Sequence, residues 1–292
     1  MTRTVFINGE YMPETEAKLS IFDRGLLFAD AVYEGFGILD GQIVDYTYHM
    51  DRLDRSLAQL EIPLPMSRDD MLVMLMRLIT ENEAEVGFLY LHVTRGEGDR
   101  SYIYDDSYVP NIFAFIQKDK FTPAEKPKLL AIHSVPDLRW ARRDIKTTNL
   151  LGQVMAKQAA HVAGCDEALM VGDDGFVTEA GSSSFFFIKD KVLYVRPVSN
   201  AILHGITRQT MLRVAAEYQM TIKEDYYTLD DAKGADEAFM TASSIYVAPV
   251  VKIDDQVIGD GEAGTMTMAL RDAYIVKARE EFPMVPNQAE KE

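Results

Sequence analysis

Two turn dipeptides, Asn8-Gly9 and Asp40-Gly41, do most to constrain the fold of this chain. Each stands between short apolar runs. Val5-Phe6-Ile7 leads into the first and Glu10-Tyr11-Met12 leaves it, while the run from Ala31 to Leu39 precedes the second and Gln42-Ile43-Val44 follows. Asn-Gly and Asp-Gly tolerate the positive φ that a two-residue hairpin turn requires, so both stretches read as antiparallel hairpins. Helical periodicity then appears near 47–60 and 68–82, with Pro63 and Pro65 marking the gap, and strand patterns return at 88–93 and 112–116. Between those two strands lies a long polar loop, Thr94 to Tyr102. Residues 118–127 are charged and proline-bounded and read as a linker, which divides the chain into a small domain over 1–117 and a larger one over 128–292.

The second half mixes strands and helices in the same way. Strands are expected at 129–135, 167–171, 176–178, 185–188, 192–195, 222–226, 237–241 and 246–253, helices after Lys146 and at 207–218 and 265–281, and a frayed tail from Pro286 to Glu292. Antiparallel hairpins combined with helices make both halves α+β rather than doubly wound parallel sheets.

Composition removes several function classes. A net charge of −16 opposes a nucleic-acid or anionic-membrane partner, and 47% hydrophobic residues suffice for a buried core. No run approaches the roughly 18 apolar residues of a membrane span, and Met1-Thr2-Arg3-Thr4 has no apolar signal segment behind it, so a cytoplasmic protein is expected. The single cysteine, Cys165, cannot form an internal disulfide and reads as a packing residue; no residue set is assigned to a metal.

The chemistry centres on Lys146. Behind it Leu150, Leu151, Val154, Met155, Ala159 and Val162 form one apolar helical face that stops at Gly164, giving an amine a fixed mount. Such an amine forms Schiff bases if its pKa is depressed, and Arg142 and Arg143 would contribute if they point inward. Three other stretches bear on it. Glu179 ends an apolar strand ahead of Ser182-Ser183-Ser184, and reads either as a solvated charge or as an inward-facing carboxylate. Gly205-Ile206-Thr207 opens a helix, as an ordinary N-cap or a phosphate site. Thr241-Ala242-Ser243-Ser244 ends a strand, as a turn or as further phosphate donors.

In order and spacing, these segments resemble the fold-type IV pyridoxal-phosphate aminotransferases, and most of all the D-amino-acid aminotransferases. The resemblance is carried by Asp23-Arg24-Gly25, Val32-Tyr33-Glu34, His49-Met50-Asp51-Arg52-Leu53, Asp144-Ile145-Lys146 with Asn149-Leu150-Leu151, Val177-Thr178-Glu179 and the run from Ile202 to Arg208. It implies that Lys146 holds pyridoxal 5'-phosphate as a Schiff base and shuttles the substrate proton. Glu179 would face the pyridine nitrogen. Arg52 would bind the phosphate with the backbone of Ile206 and Thr207 and with Ser243, and Ser182 and Ser183 would complete the cofactor contacts. Tyr33, Gly35, Gly37, Arg100, Tyr102, Ser243 and Ser244 would line the substrate side.

The implied protein is a homodimer with active sites near its interface. It would move the amino group of a D-amino acid such as D-alanine or D-glutamate to pyruvate or 2-oxoglutarate in a ping-pong cycle. The alternatives are an (R)-selective amine transaminase, a branched-chain L-amino-acid aminotransferase and, further off, an aminodeoxychorismate lyase.

This chain departs from the family in two places. Arg100-Ser101-Tyr102 stands where D-specific members carry an arginine and a histidine, which leaves the arginine to grip a carboxylate and a phenol to assist. Gly35 and Gly37 replace bulkier residues and a lysine, which predicts a roomier pocket with one fewer positive charge. His92 reads as a satisfied strand histidine in preference to pocket lining.

Overall fold

The computed structural model describes residues 2–118 and 127–285 of the 292-residue chain. They fall into two compact units, one drawn from Met1–Phe121 with Ile145–Asn149 and the chain end from Glu281, the other from Thr122–Asp144 and Leu150–Glu280. Most of the expected linker, 119–126, and the tail expected to fray, 286–292, lie outside the described residues.

The first unit contains β1 (Thr4–Ile7), β2 (Glu10–Pro13), α1 (Arg24–Phe28), β3 (Ala31–Leu39), β4 (Gln42–Ile43), α2 (Tyr46–Gln59), α3 (Arg68–Glu81), β5 (Gly87–Thr94) and β6 (Asn111–Gln117). Both expected hairpins form. Asn8 and Gly9 have φ of 47° and 96°, and Asp40 and Gly41 have 51° and 70°, as a turn matching strand twist demands. The strands order as β2-β1-β6-β5-β3-β4. Alternation along β3 sorts its side chains. Val32, Phe36 and Ile38 pack with Leu89, Leu91, Met50, Leu53, Leu75 and Leu78 of β5, α2 and α3 in one core, while Tyr33, Gly35 and Gly37 take the other face. α3 starts where Ser67 accepts the Asp70 N–H, and α1 where Asp23 accepts that of Gly25. At five residues, α1 is too short to show a helical period.

Residues 145–149 belong to this unit although they sit far along the chain. Tyr33 N–H donates to the Lys146 carbonyl at 3.0 Å, Thr148 N–H to that of Ala31 at 3.2 Å, and Thr147 bridges Val32. A contiguous division of the chain does not describe this segment, because it pairs with β3.

The second unit contains β7 (Leu130–Pro136), α4 (Leu151–Val162), β8 (Glu167–Val171), β9 (Val177–Ala180), β10 (Ser184–Lys189), β11 (Val192–Val195), α5 (Ile206–Glu217), β12 (Thr221–Glu224), α6 (Leu229–Lys233), β13 (Glu237–Ala242), β14 (Tyr246–Ile253), β15 (Gln256–Val257) and α7 (Thr265–Glu280). Its strands run β12-β11-β10-β13-β14-β7-β8-β9, with β15 on β14. Three parallel pairs (β11 with β12, β14 with β7, β7 with β8) are mixed with antiparallel ones in this sheet, which fits α+β. Phe185, Phe187, Tyr227, Met240, Ala248 and Val250 form the core. The brief α6, closed by a capping box between Thr228 and Asp231, escapes periodicity as α1 does.

The expected apolar face of α4 is a correction. Its buried residues are Ala156 and Ala160, which let the helix approach Val135, Ala168 and Met170 of β7 and β8. Leu151, Val154, Met155 and Val162 are instead 52–78% exposed. Small residues make the close contact because the helix axis lies near the sheet, and the larger apolar side chains point away. Cys165 packs against the same small cluster, and burial raises its thiol pKa, which fits a packing residue. Among the described residues, no helix is long and apolar enough to cross a membrane.

Candidate active site

Lys146 is held by its backbone. Besides the bond from Tyr33, its own N–H donates to Ser56 Oγ at 3.3 Å, and its Nζ lies 4.1 Å from the centroid of the Tyr33 ring. The residue is half-buried, with its backbone fixed on both sides. Of the neighbouring arginines, Arg142 donates to Asp144 at 2.9 and 3.1 Å, and Arg143 lies 3.5 Å from Asp137, so each guanidinium faces a carboxylate.

Arg52 sits on α2 with its side chain 6% exposed. Its Nε and Nη2 donate to Glu34 Oε1 and Oε2 at 2.8 and 2.7 Å, a bidentate pair. His49, one turn earlier, contacts Glu34 Oε2 through Nδ1 at 2.7 Å. Burial by itself would raise the Glu34 carboxyl, yet the charge and hydrogen bonds of Arg52 and the hydrogen bond of His49 hold it well below the usual carboxylate range. Burial pushes His49 down, so the ring is neutral near pH 7 and its Nδ1–H donates. Sequence reading assigned no role to Glu34 or His49, although a signal existed. Glu34 is a lone carboxylate on the otherwise apolar face of β3, and His49 and Arg52 share one face of α2 at a spacing of three.

Glu179 lies one residue before the end of β9, 6% exposed. Its Oε1 accepts from Arg139 Nη1 and from the Leu203 N–H at 2.9 Å. Burial raises its pKa, and Arg139 and the Leu203 N–H offset only part of that rise. The inward-facing reading of this carboxylate therefore describes it better than a solvated charge.

Several polar groups of the second unit meet at one edge. Ser184 of β10 pairs in register with Thr241 of β13. Gly205, the residue before α5, lies so close that a Cβ there would come within 2.7 Å of Ser184 Oγ. No side chain caps α5, whose first residues Ile206 and Thr207 are buried. Thr241 Oγ1 is buried with no hydrogen-bond partner among the described residues. Ser243 and Ser244 lie in the turn just beyond β13. An uncapped helix start, an orphaned hydroxyl and a run of serines together fit an anionic group. Ser183 is buried in the tight turn ahead of β10, its carbonyl accepting the Ala180 N–H. Ser182, expected on the cofactor, has its hydroxyl engaged elsewhere. It donates to Glu167 and accepts from Lys157, because the buried Glu167 carboxylate recruits both.

On the substrate-side residues the structure is more particular than the sequence. The room expected from Gly35 is filled, since a Cβ there would meet Phe88 Cζ at 2.4 Å. Gly35 thus admits the Phe88 ring, and the pocket is not roomier at that point. Tyr33 stacks on Tyr90 at 5.3 Å, and Gly37 lies beside Phe88 in register. His92 hydrogen-bonds with Tyr90 Oη at 3.0 Å and stacks on Phe113 at 4.4 Å. Burial lowers its pKa to about 4, a satisfied neutral histidine. Arg100 and Tyr102 are exposed together, Nη2 to Oη at 3.3 Å, with Phe28 beside both. Their loop is seated firmly at its base. Arg24 donates to the Ser101 carbonyl at 2.6 Å and to Asp30, Arg95 donates to Asp30 from Nε and Nη2, and any Cβ at Gly96 would collide with the Val109 carbonyl.

The chain is similar to known proteins in sequence and in fold. The class IV amino-transferase family matches residues 31–253. A D-alanine aminotransferase of Staphylococcus epidermidis is 36% identical over 271 residues, 92% of this chain and 96% of the relative. One from Bacillus licheniformis is 36% identical over 269 residues, covering 92% and 95%. Among solved structures, the branched-chain amino acid aminotransferase of Escherichia coli superposes with a TM-score of 0.88 over 100% of this chain and 98% of its own, at 20% identity, a likeness of fold. The chain belongs to the class IV aminotransferases. It is a pyridoxal-phosphate-dependent transaminase of fold-type IV.

Proposed function

We propose that this transaminase takes D-amino acids as donors and a 2-oxo acid such as pyruvate or 2-oxoglutarate as acceptor, in a ping-pong cycle. The observation that carries the reading is the mount of Lys146, an amine whose backbone is tied to β3 and whose Nζ lies over the Tyr33 ring. The similarity to D-alanine aminotransferases over 92% of the chain supports the choice of donor.

Each unit carries residues of the kind that hold pyridoxal phosphate. Lys146 would hold its aldehyde carbon, Arg52 its phosphate, aimed by the Glu34 clamp, with Ile206 and Thr207 N–H groups, Ser243 and the orphaned Thr241 hydroxyl as further donors. Glu179 would meet the ring nitrogen. When bound, this cofactor supplies an electrophilic carbon for amines and a ring that accepts the electron pair left when the substrate α-carbon loses its proton. Lys146 Nζ would carry that proton, with the Tyr33 ring beside it and Tyr90 stacked on that ring.

Arg100 and Tyr102 would hold the substrate carboxylate. Their exposure within one chain supports a role in the neighbouring subunit of a homodimer. The exposed stripe Leu151, Val154 and Met155 on α4, with Leu138 and Trp140, supports an interface between two copies. The lone cysteine fits the cytoplasm. Sedimentation velocity reads the dimer directly, and a concentration-independent monomer would refute it.

Half-reactions test the donor. Mixed singly with the yellow holoenzyme, D-alanine is expected to bleach it, and L-leucine and (R)-1-phenylethylamine to leave it coloured. Bleaching by L-leucine alone would replace the reading with a branched-chain L-amino-acid enzyme. Arg100→Ala is expected to lower kcat/KM for D-alanine by about 10- to 100-fold, the scale of a charge-assisted pair, with far less effect on a simple amine donor. Equal losses for both would remove Arg100 from the carboxylate site.

A further inference from the structure

Arg139 has no part in the chemistry described so far, yet it is among the most tightly held groups in the second unit. It lies in the loop after β7 with its side chain 4% exposed. Nε and Nη2 clamp the two oxygens of Asp137 at 2.9 and 2.7 Å. The Asp137 side chain is fully buried, and its Oδ2 also accepts the Thr178 hydroxyl at 2.7 Å. Thr178 immediately precedes Glu179 on β9, so the carboxylate that fixes the arginine also fixes the strand carrying the glutamate. With Nε and Nη2 so engaged, Nη1 reaches Glu179 Oε1, which also accepts the Leu203 N–H. Both contacts fall on one oxygen. Glu179 Oε2 takes part in neither of them.

We propose that Arg139, locked by Asp137 and Thr178, is the positioning residue for Glu179, holding that carboxylate ionised and turned so that Oε2 is the oxygen presented to the cofactor ring nitrogen. This rests on the proposed pyridoxal-phosphate site. The physical need is plain. A carboxylate taken out of water is driven toward its neutral form, and a neutral Glu179 could not keep a proton on the ring nitrogen. An arginine suits the task because it stays charged at every working pH and its planar fork can serve two carboxylates at once. The other charged or titratable groups acting on Glu179 are Asp137, which opposes its ionisation, and Arg208 of α5 and Tyr227, whose electrostatic coupling to it is weaker. Arg208 is turned to the Arg196 carbonyl and Glu224, which leaves Arg139 as the cation in direct contact.

The test uses Arg139→Met, Arg139→Lys, Glu179→Gln and the double variant Arg139→Met/Glu179→Gln. In cofactor-free protein, the Glu179 carboxyl is followed by infrared difference spectra against Glu179→Gln. Its titration is expected to move to higher pH by about one unit or more in Arg139→Met, a tenfold change in proton affinity. In the holoenzyme, the pH midpoint of the cofactor absorbance should shift, and kcat should fall by about tenfold or more with the donor KM within about threefold. Arg139→Lys keeps the charge but cannot clamp Asp137 and reach Glu179 together, so it should be intermediate in both readouts. It also carries the test if Arg139→Met does not fold. Adding Arg139→Met to Glu179→Gln should cost nothing further, because Arg139 acts through that carboxylate. A folded Arg139 variant with wild-type Glu179 titration, or additive losses in the double variant, would overturn the proposal. A wild type that takes up no pyridoxal phosphate would overturn the cofactor reading instead, and the infrared titration would then decide the Arg139–Glu179 link alone.

Discussion

Lys146→Ala is expected to yield a folded, colourless protein whose turnover has dropped by at least about 10⁴-fold, the upper range for a lost proton-transferring group. The fold should survive because the bonds that seat this segment run through the backbone. Tyr33 N–H still donates to the carbonyl of residue 146, Thr148 N–H to Ala31, and the N–H of residue 146 to Ser56. The residue is half-buried, with its Nζ against the Tyr33 ring, so its loss should change stability by no more than about 1 kcal/mol. Absorbance after dialysis, steady-state kinetics and thermal melts check the three parts. Retained colour with undiminished turnover would move the chemistry to another residue.

Glu34→Gln is expected to have the largest effect on stability. It leaves the Arg52 guanidinium buried without its counter-charge, which costs about 3–5 kcal/mol for a pair this deeply enclosed. It also frees Arg52 to swing from its present line, so phosphate affinity should fall alongside stability. The pH dependence has a definite sign. The folded Glu34 pKa lies below its unfolded value, so its stabilisation is complete above the ordinary carboxylate pKa of about 4.3 and is lost as the pH falls through and below it. His49 adds to the same trend. Its pKa is lowered in the folded state, so falling pH below about 6.5 favours the unfolded chain, which takes up that proton more readily. Urea melts of the wild type should therefore weaken steadily on acidification. In Glu34→Gln they should begin weaker and show a shallower decline below about pH 5. Equal stability of the two proteins at pH 7 would mean that the buried pair contributes little.

The elements that sequence reading placed well are those whose signal is local. Hairpin turns at Asn8-Gly9 and Asp40-Gly41 follow from the φ those residues tolerate, and α2, α3, α5 and α7 from a repeated apolar stripe. α1 and α6 were missed because five residues do not complete two turns. The face of α4 was misread for a different reason. Periodicity reports that a stripe is apolar but not which neighbour covers it, and here Ala156 and Ala160 take the sheet while the larger side chains face outward.

The reactive centre divides in the same way. Lys146, Glu179, Arg52 and the start of α5 could be named from the chain alone, because the order and spacing of those segments match a known family, and that match gave the cofactor and the reaction class. The partners of these residues could not. Glu34 and Arg52 stand 18 positions apart, and Arg139 and Glu179 40 apart, so no local pattern ties them. The Phe88 ring over Gly35 is likewise a contact between two strands, and it closes space that the glycine seemed in sequence to open. Sequence by itself determined which chemistry this protein carries, since that depends on residue types in a fixed order. Only the tertiary structure decided how each of those groups is charged, aimed and enclosed, because those properties come from desolvation and from neighbours that the fold, not the chain, brings within hydrogen-bond reach.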